Sequence, residues 1–226
     1  MDNPADIRAV VTDLDGTIVR PDGSVSAATG EAILRLAAER IPLIVATART
    51  PVGLVVLEPF LPQVTIAVCC NGSIGFDPAD GRQVWRHELS AIDIVSVLAE
   101  DLPDAGVGVY DGRQWVLSEN YHRARGRWPR GPYRVATLSD LAGVHPCVMS
   151  ICHPRLTSAQ TAEVLRRAGI RPDQGVLAYG ADDILDVTPP GVEKATGVTR
   201  ALDRLGIDPN HVVVLATHRT TSPCFG

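Results

Sequence analysis

The stretch Ala9-Val10-Val11-Thr12-Asp13-Leu14-Asp15-Gly16-Thr17 decides the fold of this chain. Its first four residues are apolar or β-branched, which is typical of a buried strand in a parallel sheet. The run ends in two carboxylates spaced two residues apart, and the turn signal Asp15-Gly16 follows directly. We therefore predict a buried strand that opens into a loop bearing Asp13 and Asp15.

Two further apolar runs show the same pattern, in which a predicted strand ends at a polar residue. Residues 43–46 end at Thr47, and residues 65–70 end at Asn71. Strands that alternate with helices predict an α/β fold with a doubly wound parallel sheet, that is, a Rossmann-like core. Ligands bind at the carboxyl ends of the strands in such sheets. We therefore expect Asp13, Thr47 and Asn71 to converge on one crevice.

A helix is predicted between the first two runs. Ser26 can cap its amino end, and the helical pattern continues to about residue 40. Apolar residues recur along it at helical spacing and are expected to form its inner face. These residues are Ile33, Leu34, Leu36 and Ala37.

The regular alternation of strands and helices stops at about residue 76. Beyond it the sequence predicts an extended segment at 83–87, a helix at 91–102 and a hairpin at 107–117. An exposed arginine-rich loop at 119–134, a strand at 148–152 and a helix at 158–168 are predicted to follow. The arginines of the loop are expected to be solvated rather than to form a nucleic-acid patch. We interpret residues 77–181 as an inserted α+β lid domain.

The alternation resumes near the end of the chain. A strand is predicted at 184–188, a helix at 192–205 and a last strand at 211–215. These elements are expected to complete the core domain. The core then consists of residues 1–76 and 182–226.

The composition is that of an ordinary globular protein. Of 226 residues, 45% are hydrophobic and 21% are charged, and the formal net charge is −5. This charge gives no reason to expect nucleic acid or an anionic membrane as a partner, and the acidic N-terminus lacks the features of a signal peptide. The five cysteines lack metal-ligand spacing, so we expect reduced thiols and a cytoplasmic location. Nothing in the sequence indicates an oligomeric state.

The pentapeptide Asp13-Leu14-Asp15-Gly16-Thr17 suits phosphoryl transfer. One carboxylate can attack a phosphoryl group while the other protonates the leaving oxygen. A divalent metal is then needed, because two carboxylates and a phosphate repel one another. Gly16 permits a tight turn, and the backbone N–H groups beyond it can hold phosphate oxygens. The alternative for a bare Asp-x-Asp pair is an Asx-type turn.

These residues resemble the first motif of the haloacid dehalogenase-like hydrolases, specifically the Cof-type phosphatases with a large α/β lid. The resemblance implies that Asp13 is a nucleophile that forms an aspartyl-phosphate and that Asp15 is the general acid/base. It also implies Mg²⁺ as the cofactor, held by the Asp13 carboxylate and the Asp15 backbone carbonyl. The implied substrate is a small phosphorylated metabolite such as a sugar phosphate. Water accepts the phosphoryl group in phosphatases and a sugar hydroxyl accepts it in related phosphomutases, and the sequence does not separate the two.

Two more segments match this family. Ala46-Thr47-Ala48-Arg49 matches its second motif, usually Thr-Gly-Arg, with Ala48 in place of glycine. A threonine hydroxyl there can bind the transferring phosphoryl group, so Thr47 and Ala48 are predicted to bind phosphate. Asn71-Gly72-Ser73 matches the segment before the lid, and Asn71 is assigned to the same phosphate site. The alternatives are a strand-end threonine that satisfies its own backbone and a simple turn.

Lys194 is the only lysine among 21 lysines and arginines. It ends the segment 185–194, which resembles the family's Leu-Glu-(Ile/Val)-x-Pro-x-Gly-Val-x-Lys segment. A cation in the first turn of a helix opposes the helix dipole, so an anion must lie nearby, and Asp13 with a bound phosphate would serve. We predict that Lys194 binds phosphate. The alternative is a solvated surface lysine.

The chain departs from the family at the fourth motif. Gly-Asp-x-x-Asn-Asp is expected after the strand at 212–215, where this chain reads Ala216-Thr217-His218-Arg219-Thr220-Thr221 without a carboxylate. Asp182, Asp183 and Asp208 stand elsewhere in the pattern and do not substitute. Reading-frame slips, a sequence error and divergence each account for this segment and for a C-terminus that is short for the family. A catalytically impaired protein that binds phosphorylated ligands is therefore a second hypothesis.

Overall fold

The computed structural model describes residues 7–125, 131–179 and 183–216. Strands β1 to β12 are Ala9–Thr12, Leu43–Ala46, Val64–Cys69, Ile74–Asp77, Arg82–Arg86, Gly106–Tyr110, Trp115–Ser118, Tyr133–Ala136, Val148–Cys152, Val176–Tyr179, Ile184–Thr188 and Val212–Leu215. Helices α1 to α6 are Ala27–Ala38, Ile92–Asp101, Glu119–Arg125, Leu138–Leu141, Ser158–Arg167 and Lys194–Leu205. 3-10 segments cover Pro51–Gln63, Cys70–Gly72 and Pro209–His211.

The described residues divide into two compact units. The first unit contains the residues up to Trp85 and those from Lys194 onward, and the second contains those from Arg86 to Glu193. Each unit has its own six-stranded sheet. The domain boundaries expected from the sequence, with a lid at residues 77–181, stay a prediction.

The sheet of the first unit has the strand order β12-β1-β2-β3-β4-β5. Strands β12, β1, β2 and β3 are parallel, as the sequence predicts, whereas β4 pairs with β3 in the antiparallel direction. Every residue of β1 and β2 is buried, which explains their continuous apolar character. The expected Rossmann-like α/β core is confirmed, and its sheet is mixed.

Helix α1 begins where the sequence predicts, but its inner face is narrower. The backbone N–H of Thr29 donates to the Ser26 side chain at 3.0 Å, which caps the helix. Ile33 is buried, whereas Leu34 is 50% exposed. Successive helical residues point about 100° apart, and the ring of Phe60 lies against Gly30, so the side facing the protein is that of Gly30 and Ile33. The expectation that Leu34 and Ala37 face inward is wrong, and Leu36 is half-buried.

The sheet of the second unit has the order β10-β11-β9-β6-β7-β8. Its neighbouring strands are antiparallel except for β7 and β8, which are parallel. Residues from these strands and from α2, α4 and α5 form one apolar core that includes Leu98, Val107, Met149, Ile151 and Leu185. The predicted hairpin around residues 111–112 is confirmed as β6 and β7.

Strand β11 corrects a prediction. The sequence pattern assigned residues 184–188 to the resumed core, but β11 lies between β9 and β10 in the second sheet. Leu185 and Val187 are fully buried, and between them Asp186 accepts a hydrogen bond from the Ser150 hydroxyl at 2.6 Å on the neighbouring strand. A short apolar run predicts a strand but not the sheet that the strand joins.

The arginine-rich segment also corrects a prediction. The sequence predicts an exposed loop over residues 119–134, whereas the structure has α3 at its start and β8 at its end; residues 126–130 lie outside the described ranges. Tyr121 is fully buried, and its backbone lies so close to Gly106 that a side chain there would clash. This packing stabilises a helix that the charged composition obscures.

Two further expectations concern membranes and thiols. Among the described helices, none has both the length and the apolar character needed to cross a bilayer. Four cysteines lie in the described ranges and none of them forms a disulfide, namely Cys69, Cys70, Cys147 and Cys152. Burial raises the pKa of the Cys147 thiol to about 12, so it is not a reactive thiolate. A cytoplasmic location stays a prediction.

The adjacent residues Ile33 and Leu34 test the orientation of α1. We expect Ile33→Ala to lower the free energy of unfolding by about 2–4 kcal/mol, because it leaves a cavity in the core. Leu34→Ala should change that free energy by less than about 0.5 kcal/mol, because half of its side chain is already exposed. Urea denaturation followed by circular dichroism measures both, and equal losses would contradict the orientation of the helix.

Candidate functional site

Three of the predicted site residues lie at the carboxyl ends of three adjacent parallel strands. Asp13 follows β1, Thr47 follows β2 and Asn71 lies just after β3. The backbone N–H of Asn71 donates to the carbonyl of Thr47 at 3.1 Å, and that of Asp13 donates to the carbonyl of Leu215 at 3.0 Å. The convergence expected from the sequence thus has a structural basis, because parallel strands bring their carboxyl ends to the same edge of the sheet.

Asp13 and Lys194 form a buried ion pair. The Lys194 Nζ atom lies 3.2 Å from Oδ1 of Asp13, and the two residues are 9% and 8% exposed. The backbone N–H of Leu14 donates to the same oxygen at 2.8 Å. Lys194 is the first residue of α6, so its charge faces the unfavourable end of the helix dipole. The alternative of a solvated surface lysine is wrong, because Asp13 supplies the anion that this position requires.

A glycine allows α6 to bring Lys194 close to the strands. A Cβ atom at Gly197, one helical turn beyond Lys194, would lie 2.4 Å from the side chain of Val68 and 2.8 Å from the Cα atom of Gly72. Both distances are shorter than van der Waals contact. Any larger residue at this position would push the helix, and with it the ammonium group, away from Asp13.

The turn after β3 has an unusual backbone. Cys70 and Asn71 have φ values of 51° and 52°, in the left-handed region that disfavours side chains other than Asn, Asp and Gly. Hydrogen bonds from Cys70 N to the Arg49 carbonyl at 2.9 Å and from Asn71 N to the Thr47 carbonyl hold this conformation. Such strain persists only where surrounding contacts impose it, and it concentrates at functional sites.

Thr47 is fully buried, and its hydroxyl accepts a hydrogen bond from the Arg49 backbone N–H at 3.1 Å. That contact is the one expected of a strand-end residue that satisfies its own backbone, and it leaves the hydroxyl proton for a further acceptor. Ala48 is exposed and Asn71 is buried. Phosphate binding by Thr47, Ala48 and Asn71 stays a prediction.

Arg49 is the residue that the sequence reasoning missed. Its Nε atom donates to Oδ2 of Asp15 at 2.9 Å and its Nη2 atom to Oδ1 at 2.7 Å. These bonds raise the pKa of the Arg49 guanidinium above its usual value. The sequence contained an indication of its importance, since arginine is the last residue of the family's second motif. The motif alone does not show that Asp15 is the residue to which this arginine binds.

The donors available to a metal ion are oxygen atoms. Mg²⁺ prefers oxygen ligands and commonly keeps several waters, so the Asp13 carboxylate and the Asp15 carbonyl fit it in chemistry. No group of three or more His, Cys, Asp or Glu residues that could hold a metal ion occurs within residues 7–125, 131–179 and 183–216. Mg²⁺ binding by Asp13 and Asp15 stays a prediction.

The strand that precedes the expected fourth motif pairs with the strand that precedes Asp13. Strand β12 pairs with β1 in register, Thr12 with Leu215, and Ala216 follows directly. The predictions made for Thr217 to Gly226 and for Asp182 concern residues outside the described ranges. Asp208 caps the 3-10 segment before β12 and so lies at the opposite end of that strand, as expected.

Comparison with known proteins identifies the family. The model of the haloacid dehalogenase-like hydrolases matches residues 10–215. Among solved structures, a sugar phosphatase of subclass IIB of this superfamily is 14% identical with a TM-score of 0.76, and the alignment covers 92% of this chain and 79% of that one. A haloacid dehalogenase-like hydrolase from B. subtilis is 16% identical with a TM-score of 0.74, covering 92% and 82%. A third, from Bacteroides thetaiotaomicron, is 18% identical with a TM-score of 0.72, covering 92% and 80%. The structural likeness shows a shared fold, and the family match shows that this chain belongs to the haloacid dehalogenase-like hydrolases.

Proposed function

We propose that the protein is a Mg²⁺-dependent phosphomonoester hydrolase that acts on a small phosphorylated metabolite through an aspartyl-phosphate. The observation that carries this proposal is the buried ion pair of Asp13 and Lys194 at the carboxyl end of a parallel strand. A buried ion pair of this kind contributes little net stability to a fold, because the desolvation of both charges offsets most of their attraction. A catalytic role explains why it is present.

In the first half-reaction, an Asp13 carboxylate oxygen attacks the phosphorus atom. A P–O bond forms to Asp13 while the bond between phosphorus and the leaving oxygen breaks, and Asp15 gives its proton to that oxygen. Lys194 donates a hydrogen bond to the attacking group and to phosphate oxygens, which stabilises the charge that develops in the transition state. The products are the alcohol and an aspartyl-phosphate at Asp13.

In the second half-reaction, water attacks the phosphorus atom of the aspartyl-phosphate. Asp15 takes the proton of that water, the bond between phosphorus and Asp13 breaks, and inorganic phosphate leaves. A bound Mg²⁺ would offset the repulsion among the carboxylates and the phosphoryl oxygens. The acid and base forms of Asp15 therefore alternate, and the cycle returns both side chains to their starting states.

A sugar phosphate is the substrate class that the comparisons favour. One structure with the same fold is described as a subclass IIB sugar phosphatase, and another is described in terms of a phosphoryl-transfer superfamily. At 14% identity these proteins support the substrate class by analogy of fold only. A screen of phosphorylated metabolites, with sugar phosphates and non-sugar phosphomonoesters of equal charge, tests it.

A second candidate function is the binding of phosphorylated ligands without efficient turnover. The observation that favours it is the sequence after β12, where residues 216–221 contain no carboxylate although they follow a strand that pairs with β1. Metal-dependent turnover of an aryl phosphate separates the two functions. The hydrolase turns it over, whereas the binding protein retains affinity for phosphate without doing so.

Replacement of the proposed nucleophile is the first test. We expect Asp13→Asn to reduce hydrolysis of para-nitrophenyl phosphate to background, because an amide is not a nucleophile toward phosphorus. The same change should abolish binding of beryllofluoride, because the amide lacks the anionic oxygen to which beryllium coordinates. Turnover is measured by phenolate release and beryllofluoride binding by fluorine NMR. Asp22→Asn, at an exposed turn, is the control. Undiminished turnover by the Asp13 variant would remove the proposed mechanism.

Lys194 is tested by phosphate binding. We expect Lys194→Ala to weaken the binding of inorganic phosphate by about 10-fold or more, since a hydrogen bond to a charged group contributes about 1.5–3 kcal/mol. Lys194→Arg, which keeps the charge, should recover part of that affinity. Titration calorimetry gives the constants, and Arg204→Ala, in the exposed last turn of the same helix, serves as the control. Equal affinity in Lys194→Ala would exclude phosphate contact by Lys194.

The segment after β12 is tested by restoring its carboxylates. We expect the combination Ala216→Gly, Thr217→Asp, Thr220→Asn and Thr221→Asp to raise both Mg²⁺ affinity and turnover. Residues that only hydrogen-bond the ligands of a metal ion contribute about 10-fold or more to metal affinity. The restored carboxylates should therefore raise Mg²⁺ affinity by at least about 10-fold. Calorimetry with Mg²⁺ and the aryl phosphate assay measure the two effects.

A neutral version of the restored segment controls for its altered backbone. In this version Asn replaces both introduced aspartates, and neither property should improve. A folded restored variant without gain in metal affinity or turnover would contradict the assignment of this segment.

A further inference from the structure

We propose that Arg49 is the positioning residue of Asp15: its guanidinium fixes the orientation of the proposed acid/base carboxylate. This inference rests on the proposed hydrolase function. The two carboxylates of the first motif occupy different environments, because Asp13 is buried against Lys194 whereas the Asp15 side chain is 49% exposed. An exposed carboxylate on a loop has rotamer freedom unless a partner removes it.

The geometry of the Asp15–Arg49 pair removes that freedom. Both carboxylate oxygens are bound, each by a different nitrogen, at 2.9 and 2.7 Å. A bidentate guanidinium fixes the plane of a carboxylate as well as its distance, which a single ammonium contact cannot do. Arg49 thus donates a hydrogen bond to each oxygen of the Asp15 carboxylate.

Arg49 is itself held in place at several points. Its backbone N–H donates to the Thr47 hydroxyl and its carbonyl accepts from the Cys70 N–H. Its Nη1 atom lies 3.4 Å from the Gly53 carbonyl, and a Cβ atom at Gly53 would lie 3.0 Å from the Arg49 Cβ. The side chain is only 19% exposed. Arg49 therefore transmits the position of the ends of β2 and β3 to Asp15.

Orientation matters for this carboxylate because it exchanges a proton with two different oxygens in the proposed cycle. A misplacement of about 1 Å in a reacting group can cost about 100-fold in rate. The pair also joins the first and second motifs of the chain, which lie on neighbouring strands. The arginine of the second motif is thus assigned the orientation of Asp15, beside the threonine that is predicted to bind phosphate.

The test is a double-mutant cycle on hydrolysis of para-nitrophenyl phosphate with Mg²⁺, in the native chain and in the restored variant. This substrate has a good leaving group, so Asp15→Asn should retain slow turnover. We expect Arg49→Ala to lower kcat by about 10- to 100-fold with less than about 3-fold change in KM. In the Asp15→Asn background the same change should cost less than about 2-fold, because Arg49 acts through Asp15.

Two more variants separate positioning from a loss of folding. Arg49→Lys, which keeps a charge but only a single-point contact, should recover part of the lost kcat. Gly53→Ala, which crowds the Arg49 side chain, should lower kcat by a smaller factor than Arg49→Ala. Arg82→Ala, at an exposed ion pair with Asp80, should leave kcat and KM unchanged. Circular dichroism confirms that each variant is folded.

The outcomes distinguish the two proposals. A loss in Arg49→Ala that persists in full in the Asp15→Asn background, or that falls on KM, would overturn the positioning role and assign Arg49 to substrate binding. An active parent in which Arg49→Ala changes nothing would overturn it as well. A parent that shows no turnover even with the restored segment overturns the hydrolase function, and the positioning role with it.

Discussion

The ion pair of Asp13 and Lys194 is the interaction on which the candidate site depends. Both groups are almost completely buried, and a buried charge without its partner is strongly destabilising. The pair therefore requires β1 to end at the point where α6 begins. That requirement explains the close approach of α6 at Gly197 and the position of Lys194 in the first residue of the helix, where the dipole alone would disfavour a cation.

Much of this arrangement follows from local sequence. The buried strand before Asp13, the strand ends at Thr47 and Asn71, and the need for an anion near Lys194 are each apparent from residue patterns, because burial and helix dipoles act over short stretches of chain. Parallel pairing then brings the strand ends together without further information. The four parallel strands of the first sheet, and the convergence of Asp13, Thr47 and Asn71 at their carboxyl ends, could be predicted for this reason.

The features that sequence reasoning misplaced are those decided by distant partners. Strand β11 has the same apolar character as a core strand, and only its pairing with β9 and β10 assigns it to the second sheet. The arginines of helix α3 give it the composition of an exposed loop, whereas its Tyr121 backbone packs closely against the distant Gly106. The Asp15–Arg49 pair joins residues on two loops, and no pattern within either loop indicates that the two residues are in contact. Leu34 was assigned to the wrong side of α1 for a different reason: the spacing of apolar residues locates the buried face of a helix only to within about one residue.

The path of the chain through the two units has an evolutionary consequence. Among the residues that the structure describes, those of the second unit lie, in sequence, between the segment that carries Asp13 and the helix that carries Lys194. The entropy lost on joining two points of a chain grows only with the logarithm of their separation, so doubling the intervening length costs about 0.6 kcal/mol. A large insertion between the partners of the ion pair is thus nearly neutral for its formation. Descendants of such a gene can enlarge, shorten or exchange the inserted segment while the ion pair stays intact.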